Sequence, residues 1–278
     1  MRAMDAMGIS LHSISNRRGL RSGAGVRMRS ARRVNPRIPA LPDPQPRGSS
    51  ETLLRDERLL ITAGVTHELR TPLTILKGRL HGIEDGVISP DEDETARLLR
   101  QVEHVLAIVN DLDTLAQADL GRLSLQRREI DLAQIVGAVV SDLRPLLARH
   151  EMRIVEHYER ARLFADPTRI TQIVTNLLTN ASKHSAPGGE ILVDVALHEG
   201  EARLSVVDEG PGFSPADRDR LFTPCWRSDA TVKRAGCPGT GMGLALTAKL
   251  VAAHGGHIIA ENRQDRSGAC FSVTLPIV

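Results

Sequence analysis

His67, Glu68 and Thr71 lie within little more than one helical turn of each other, and their types offer an imidazole nucleophile, a carboxylate and a hydroxyl. Around them Val65, Leu69, Leu73, Leu76, Leu80 and Ile83 recur every three or four residues, the spacing of one apolar stripe on a helix. His67 is two residues, roughly 200° at ~100° per residue, from Val65, so it points away from that stripe and towards water. Arg70, Thr71 and Thr74 fall on its face. A solvent-facing imidazole in a polar row suits a nucleophile that two different partners must reach; the ordinary alternative is a solvated surface histidine.

A second group could hold a polyphosphate. On a helix announced by Asp166-Pro167, Asn176, Asn180 and Lys183 are spaced four and three apart and share one face, where amide oxygens and an ammonium suit a phosphate-bound Mg²⁺. Asp208 ends an apolar run of Leu204, Val206 and Val207, so its carboxylate emerges at a loop mouth, and Gly210 and Gly212 would let backbone approach a bound base. Gly239, Gly241 and Gly243 precede a predicted helix of Leu244 to Ala253, where bare backbone N–H groups and the helix dipole favour an anion by ~0.3–1 kcal/mol. Triphosphate is the fitting occupant. Between these, Phe213 to Pro238 reads as a lid whose Arg227, Lys233 and Arg234 could close over phosphates.

The positioning elements are of two kinds. Glu51 to Asp85 and Pro90 to Ala118 read as long helices, the second with Leu98, Val102, Val105, Val109, Leu112 and Leu115 on one face. Gly86 breaks the chain between them, and Ser89-Pro90-Asp91-Glu92 supplies an expected N-cap at Ser89, a proline at the first helical position and a capping-box glutamate. Two helices alone cannot bury both stripes, so the hairpin is expected to pair with a second copy as a four-helix bundle. Pro72 is expected to loosen the turn carrying His67. From Leu123 onward, strands predicted at 123–127, 153–156, 162–165, 191–197, 202–207, 257–261 and 270–275 alternate with helices capped at Asp131, Asp166 and Ser214. An α/β sandwich follows.

His67-Glu-Leu-Arg-Thr-Pro, Asn176-Leu-Leu-Thr-Asn180-Ala-Ser-Lys183-His184, Asp208-Glu-Gly210-Pro-Gly212, Leu221-Phe222-Thr-Pro224-Cys-Trp-Arg227 and Gly239-Thr240-Gly241-Met-Gly243-Leu244 together resemble the H, N, G1, F and G2 boxes of sensor histidine kinases of two-component systems. The resemblance runs from about Glu51 to the C-terminus. It implies a helical hairpin forming a dimeric four-helix bundle, then an α/β sandwich ATP-binding domain with a mixed, mostly antiparallel sheet, as in type II topoisomerases, heat-shock chaperones and mismatch-repair ATPases. It further implies autophosphorylation of His67 from Mg²⁺-ATP and transfer to an aspartate of a response regulator receiver domain. Glu68 would orient the ring, and Thr71 would position water for phosphatase activity. Asn180 would be the metal ligand supported by Asn176, Lys183 would meet phosphate, and Asp208 would accept the adenine amino group. His184, Arg227 and the run Gly239, Thr240, Gly241, Gly243 and Leu244 complete the expected nucleotide contacts. Two residues depart from the pattern: Cys225 stands where Phe is usual, and Cys270 takes a strand position near the adenine where small polar residues are commoner.

Composition sets bounds on this reading. The 278 residues are 41% hydrophobic and 25% charged, an ordinary globular balance, but only 2% aromatic, which calls for aliphatic cores and disfavours base-stacking nucleic-acid modules. The longest near-apolar run, Ala133 to Val140, which also carries Gln134, falls far short of the ~20 residues of a membrane span, so no transmembrane segment is expected and the cytoplasm is the expected compartment. Cys225, Cys237 and Cys270 show neither metal-ligand spacing nor a paired framework, which fits reduced thiols. The net charge of +2 is uneven: residues 1–50 hold ten arginines against Asp5 and Asp43, leaving 26 basic and 32 acidic residues in the rest. The expected organisation is an Arg-rich extension without a core over 1–50, a dimerisation and phosphoacceptor hairpin over 51–120 and a catalytic ATP-binding domain over 121–278. Two rival readings are a non-transferring ATPase of the same fold and an interaction or DNA-binding protein acting through the basic tail.

Overall fold

The computed structural model describes the backbone of residues 48–226 and 240–277, with side chains from Gly64 onward. The N-terminal extension, the lid residues Arg227, Lys233 and Arg234, and Gly239 of the glycine run lie outside the described residues. Helix α1 (Gly48–Glu84) and helix α2 (Glu92–Asp119) form the hairpin. The chain reverses where Gly86 takes φ +69°, a left-handed conformation natural to glycine, and Val87 and Ile88 both donate to the Gly82 carbonyl at 2.8 Å. The N-cap of α2 is Asp91 rather than Ser89: its carboxylate accepts the Glu94 N–H at 2.7 Å. An ionised cap gains from the helix dipole as well as from the hydrogen bond, an advantage that a serine lacks. Pro72 is buried, and α1 continues through it instead of breaking.

The base of the hairpin is fastened by charge. Glu94 is only 3% exposed, and both its oxygens lie 2.6 Å from the Arg79 guanidinium of α1, with Arg97 at 3.5 Å. The apolar stripes are only partly covered by one chain: Leu73, Leu80, Leu99, Val102, Leu106 and Val109 are exposed, although the periodicity placed Leu73, Leu80, Val102 and Val109 on buried faces. Ile108 and Leu115 of α2 are instead buried in the core of the following lobe.

That lobe begins with strand β1 (Arg128–Asp131), not at Leu123 as the pattern predicted, paired antiparallel with β3 (Arg162–Ala165). Helix α3 (Leu132–Arg149) is capped by Asp131, and helix α4 (Pro167–His184) by Asp166 with proline in its first turn, both as expected. Strands β2 (Arg153–Tyr158), β4 (Glu190–His198), β5 (Glu201–Val207), β6 (His257–Asn262) and β7 (Ala269–Pro276) form one sheet in the order β2-β4-β5-β7-β6. Only the β2–β4 pairing is parallel, giving the mixed, mostly antiparallel sheet expected. Helix α5 (Gly243–Ala253) precedes β6. Ser214 caps no α-helix; its hydroxyl accepts the Asp217 N–H at 3.2 Å and leads into one 3₁₀ turn, Arg218–Arg220.

The three helices cover one sheet face. Val136, Val140 and Leu147 of α3, Ile173 and Leu177 of α4, and Leu246 and Leu250 of α5 are buried with Ile191, Val193, Leu204, Val206 and Val273 of the strands. Phe271 is the one aromatic among these buried core residues, matching the aliphatic core that the composition requires. The opposite face is an open groove of about 490 Å³ lined mainly by polar residues, including Asp194, Arg203, Ser205, Ser272 and Thr274. The hairpin meets the lobe on the helical side, where Gln172 of α4 donates to Asp111 of α2 at 3.1 Å and Lys249 of α5 lies 2.6 Å from Asp119. Burial pushes the Asp111 carboxyl upward, and the Gln172 hydrogen bond opposes that shift.

Candidate functional site

Helix α4 carries the polar row read from the sequence. Its hydrophobic residues Ile170, Ile173, Leu177 and Leu178 are buried, leaving Asn176, Asn180 and His184 half-buried at the edge of the lobe and Lys183 exposed. Asn176 is held: its amide donates to the Gly243 carbonyl at 3.2 Å and approaches the Thr247 hydroxyl at 3.4 Å. Thr247 in turn donates to the Gly243 carbonyl at 2.8 Å. Asn176 therefore joins α4 to the first residue of α5, where the glycine run ends. The side chain of Asn180, one turn further on, makes no hydrogen bond to the described residues, so its amide oxygen can serve as a ligand. Among the described residues no three His, Cys, Asp or Glu side chains converge on a metal position, so a hard cation here would arrive with phosphate oxygens and meet an amide. The donor set fits Mg²⁺ carried on a polyphosphate.

Asp208 leaves the end of β5 and is 2% exposed. Its Oδ1 accepts the N–H groups of Gly210 at 2.8 Å and Ala269 at 3.1 Å. Burial pushes this carboxyl above the ordinary aspartate range, opposed by those two N–H groups and by the charges of His184 and Arg263. With Oδ1 doubly engaged, Oδ2 remains to accept a ligand amino group. Gly210 is required sterically, since a Cβ there would stand 2.9 Å from Asp208 Oδ1 and 3.0 Å from the His184 carbonyl. Gly212 has φ +70°, and a side chain there would meet Asn262 Oδ1 at 2.6 Å.

Three residues that shape this pocket were not legible as site residues. Gly268 leaves no room for a Cβ, which would lie 2.1 Å from the Asp208 carbonyl, and the next residue, Ala269, supplies one of the two Asp208 donors. Asn262 clamps the loop after Gly212 by accepting the Phe213 N–H at 2.9 Å and donating to its carbonyl at 2.6 Å. All three reach the Asp208–Phe213 segment from far along the sequence, 49 residues for Asn262 and 61 for Ala269, once the strands pair; a glycine immediately before an alternating strand was the only local signal. Cys270 is near Asp208 in register but faces away. Its neighbours Ala269 and Phe271 point into the core, and Cys270 itself lines the open outer face with Ser272, its sulfur 3.5 Å from that hydroxyl. The expectation that it sits near the adenine is therefore corrected.

The glycine run and the lid base are packed together. Gly241 has φ +63°, and a Cβ there would lie 3.1 Å from Cys225 backbone and from the Trp226 carbonyl. Cys225 donates its N–H to the Gly241 carbonyl at 3.1 Å, itself holding the left-handed φ of +59°. Thr240 Oγ1 accepts the Met242 N–H at 3.3 Å, Met242 is fully buried, and Gly243 and Leu244 open α5 half-buried. The Cys225 side chain faces helix α1: a Cβ on Gly64 would come 2.6 Å from Cys225 Cβ. Burial raises the Cys225 thiol, and the Glu68 carboxylate adds to that. His67, one turn beyond Gly64, is exposed, as are Arg70, Thr71 and Thr74 on its face, and the Thr71 hydroxyl donates to the His67 carbonyl at 3.3 Å. An accessible imidazole thus flanks the contact through which the phosphate-type loop meets the hairpin.

Comparison with known proteins matches residues 57–121 to the family model for the His Kinase A (phospho-acceptor) domain and residues 165–278 to that for the histidine kinase-, DNA gyrase B- and HSP90-like ATPase. The signal transduction histidine-protein kinase BaeS of Escherichia coli is 31% identical over 216 residues, 77% of this chain and 46% of that protein. This chain therefore spans about half the length of that relative, and the Bacillus subtilis sensor histidine kinase WalK, 32% identical, is covered over 37% of its length. The solved structure of the Acinetobacter baumannii histidine kinase AdeS superposes with a TM-score of 0.63 at 31% identity, covering 76% of this chain and 98% of that one.

Proposed function

Because this chain belongs to the sensor histidine kinases of two-component systems, we propose that it phosphorylates itself on His67 from Mg²⁺-ATP and passes the phosphoryl group to an aspartate of a response regulator receiver domain. The observation that carries this reading is the contiguous path Gly64–Cys225–Gly241, which brings the phosphate-type loop beside the exposed histidine. Asp208 Oδ2 takes the adenine amino group, and the glycines around it let the base lie against backbone. Thr240, Gly241, Gly243 and Leu244 cradle the triphosphate at the start of α5, with Gly239 and Arg227 completing the expected contacts. Asn180, one turn beyond Asn176, would hold Mg²⁺, whose charge would offset that of the phosphates, and Lys183 and His184 border the same site.

Phosphoryl transfer asks the protein for alignment and charge neutralisation more than for covalent work. A lone pair on one ring nitrogen of His67 attacks the γ-phosphorus as the bond to the bridging oxygen breaks and ADP departs. Glu68 orients the ring and accepts the proton on its other nitrogen. The exposed face His67-Arg70-Thr71-Thr74 receives the regulator, and Thr71 positions water for phosphatase action on it. The exposed Leu73, Leu80, Leu99, Val102, Leu106 and Val109 support pairing with a second copy of the hairpin. No helix among the described residues is long and apolar enough to cross a membrane.

Incubation with γ-labelled ATP is expected to give an acid-labile, alkali-stable phosphoprotein that chases onto a receiver domain and disappears in His67→Gln. Label retained by His67→Gln, or ATP hydrolysis with no labelled protein, would overturn the reading; the second outcome is that of a non-transferring ATPase.

A further inference from the structure

His254 follows α5, is 5% exposed and belongs to none of the groups placed at the nucleotide above. Its Nδ1 lies 2.7 Å from the Leu250 carbonyl, and its Nε2 lies 3.1 Å from the Asp166 backbone nitrogen. A carbonyl only accepts and a backbone N–H only donates, so the two contacts together require a neutral ring with its proton on Nδ1 and a lone pair on Nε2. Burial depresses the proton affinity of the ring, reinforced by Arg127 and opposed by the Leu250 carbonyl and by Asp166.

What the ring holds is the cap of the nucleotide helix. Asp166 Oδ1 accepts the Thr168 and Arg169 N–H groups at 2.9 and 3.2 Å, closing the N-terminus of α4, while Oδ2 accepts the Gln126 N–H at 2.9 Å. Arg127 beside it donates to the Ala253 carbonyl at 2.6 Å. The segment leading from the hairpin, the start of α4 and the end of α5 therefore meet at one joint around Asp166 and His254.

The same two helices are tied again where the middle of α4 meets the start of α5, by Asn176 to the Gly243 carbonyl. From Asp166 to Asn176 is about 15 Å of α4 and from Gly243 to His254 about 16 Å of α5, at ~1.5 Å per residue, so two ties of matched spacing lock the antiparallel helices in register. That register sets how far the glycine run at the head of α5 stands from Asn176 and Asn180. We propose that His254 is a positioning residue for Mg²⁺-ATP: its neutral imidazole, through the Asp166 N–H, holds α5 against α4 and so fixes the spacing between the asparagine row and the glycine loop. This rests on the nucleotide-site reading above.

The test compares wild type, His254→Gln and His254→Phe for Mg²⁺-ADP affinity by calorimetry and for KM and kcat of His67 labelling, at a temperature where each is folded by circular dichroism. Glutamine restores an acceptor towards Asp166; phenylalanine fills the space without one. The expected result is nucleotide affinity and KM about tenfold worse in His254→Phe, the scale of one lost internal hydrogen bond, with His254→Gln within about twofold of wild type. Equal nucleotide affinity in all three folded proteins would overturn the proposal, because a purely structural histidine lowers the melting temperature without moving the affinity of the folded fraction. If His254→Phe does not fold, an acid titration of the other two decides. A proton on Nε2 would point a donor at the Asp166 N–H, with Arg127 and Asp166 the charged groups facing the ring; protonation of Asp208 lowers affinity in both proteins, so wild-type affinity falls more steeply at acid pH than that of His254→Gln. Superposed profiles would reject the proposal. Failure of wild type to bind any adenine nucleotide would instead reject the nucleotide-site reading.

Discussion

Gly64 and Cys225 pack so closely that the helix bearing His67 touches the lid base with no atom to spare: a Cβ on Gly64 would stand 2.6 Å from Cys225 Cβ and 3.0 Å from its sulfur. Cys225 stands where related kinases usually carry phenylalanine, and the pairing of a small residue with a glycine explains how the departure is tolerated. A phenyl ring directed at Gly64 would find the helix backbone in its place.

A Gly64→Ala substitution inside a helix ordinarily stabilises by about 1 kcal/mol. Here it is expected to destabilise by about 1–3 kcal/mol through overpacking, seen in chemical denaturation, and to slow His67 labelling. Adding Cys225→Gly, which removes the opposing Cβ and relieves the left-handed φ of +59°, should recover most of the loss. Simple additivity of the two changes would show that the residues do not touch in solution.

Arg79→Met leaves the Glu94 carboxylate buried with only the more distant Arg97 as partner. Because Arg79 itself is about one-third exposed, the cost is discounted for solvent screening to about 2 kcal/mol. Replacing both, as Arg79→Met with Glu94→Gln, should cost less than Arg79→Met alone, measured by thermal melts of the intact protein.

Stability should also report the His254 proton. The folded ring binds a proton less readily than the unfolded chain, so between the unfolded value near 6.5 and its lower folded value the unfolded state takes up the proton and the folded state does not. The contribution of His254 is therefore complete above about pH 6.5 and is lost progressively as pH falls below it. Urea unfolding from pH 8 to 5 should show this decline, shallower in His254→Gln; an identical slope would exclude His254 as its source.

Asp208→Asn can keep a carbonyl oxygen for the Gly210 and Ala269 N–H groups, so the fold should survive. Its amide nitrogen then faces the base as a second donor against the adenine amino group. Mg²⁺-ATP affinity should drop about 100-fold, the scale of a buried donor left facing a donor. Calorimetry showing unchanged affinity would remove Asp208 from the adenine contact.

The polar residues of the site were legible because each chemical task demands a particular residue type at a helical or loop spacing: Asn176 and Asn180 one turn apart, Asp208 at a strand end, glycines before a helix. Residues that act through long-range pairing were not. Gly268 and Asn262 acquire their roles only when β7 and β6 come alongside β5, and the side on which Cys270 emerges depends on a register that shifts with every single residue. Local competition decided the other misses. Asp91 displaced Ser89 as the cap of α2 because a carboxylate suits the dipole better, and β1 began at Arg128 because that is where β3 offers partners.

The mostly hydrophilic outer side of the five-stranded sheet has a mechanical meaning. Already facing water, it demands no further layer, so the contacts that hold the nucleotide lobe to the hairpin lie elsewhere, at Asp111–Gln172, Asp119–Lys249, the seat of Ile108 and Leu115 and the Gly64–Cys225 packing. The lobe is thus wetted on one side and fastened on the other by two polar clasps, aliphatic side chains and one glycine–cysteine packing. Any movement of the lobe against the hairpin must break these contacts together.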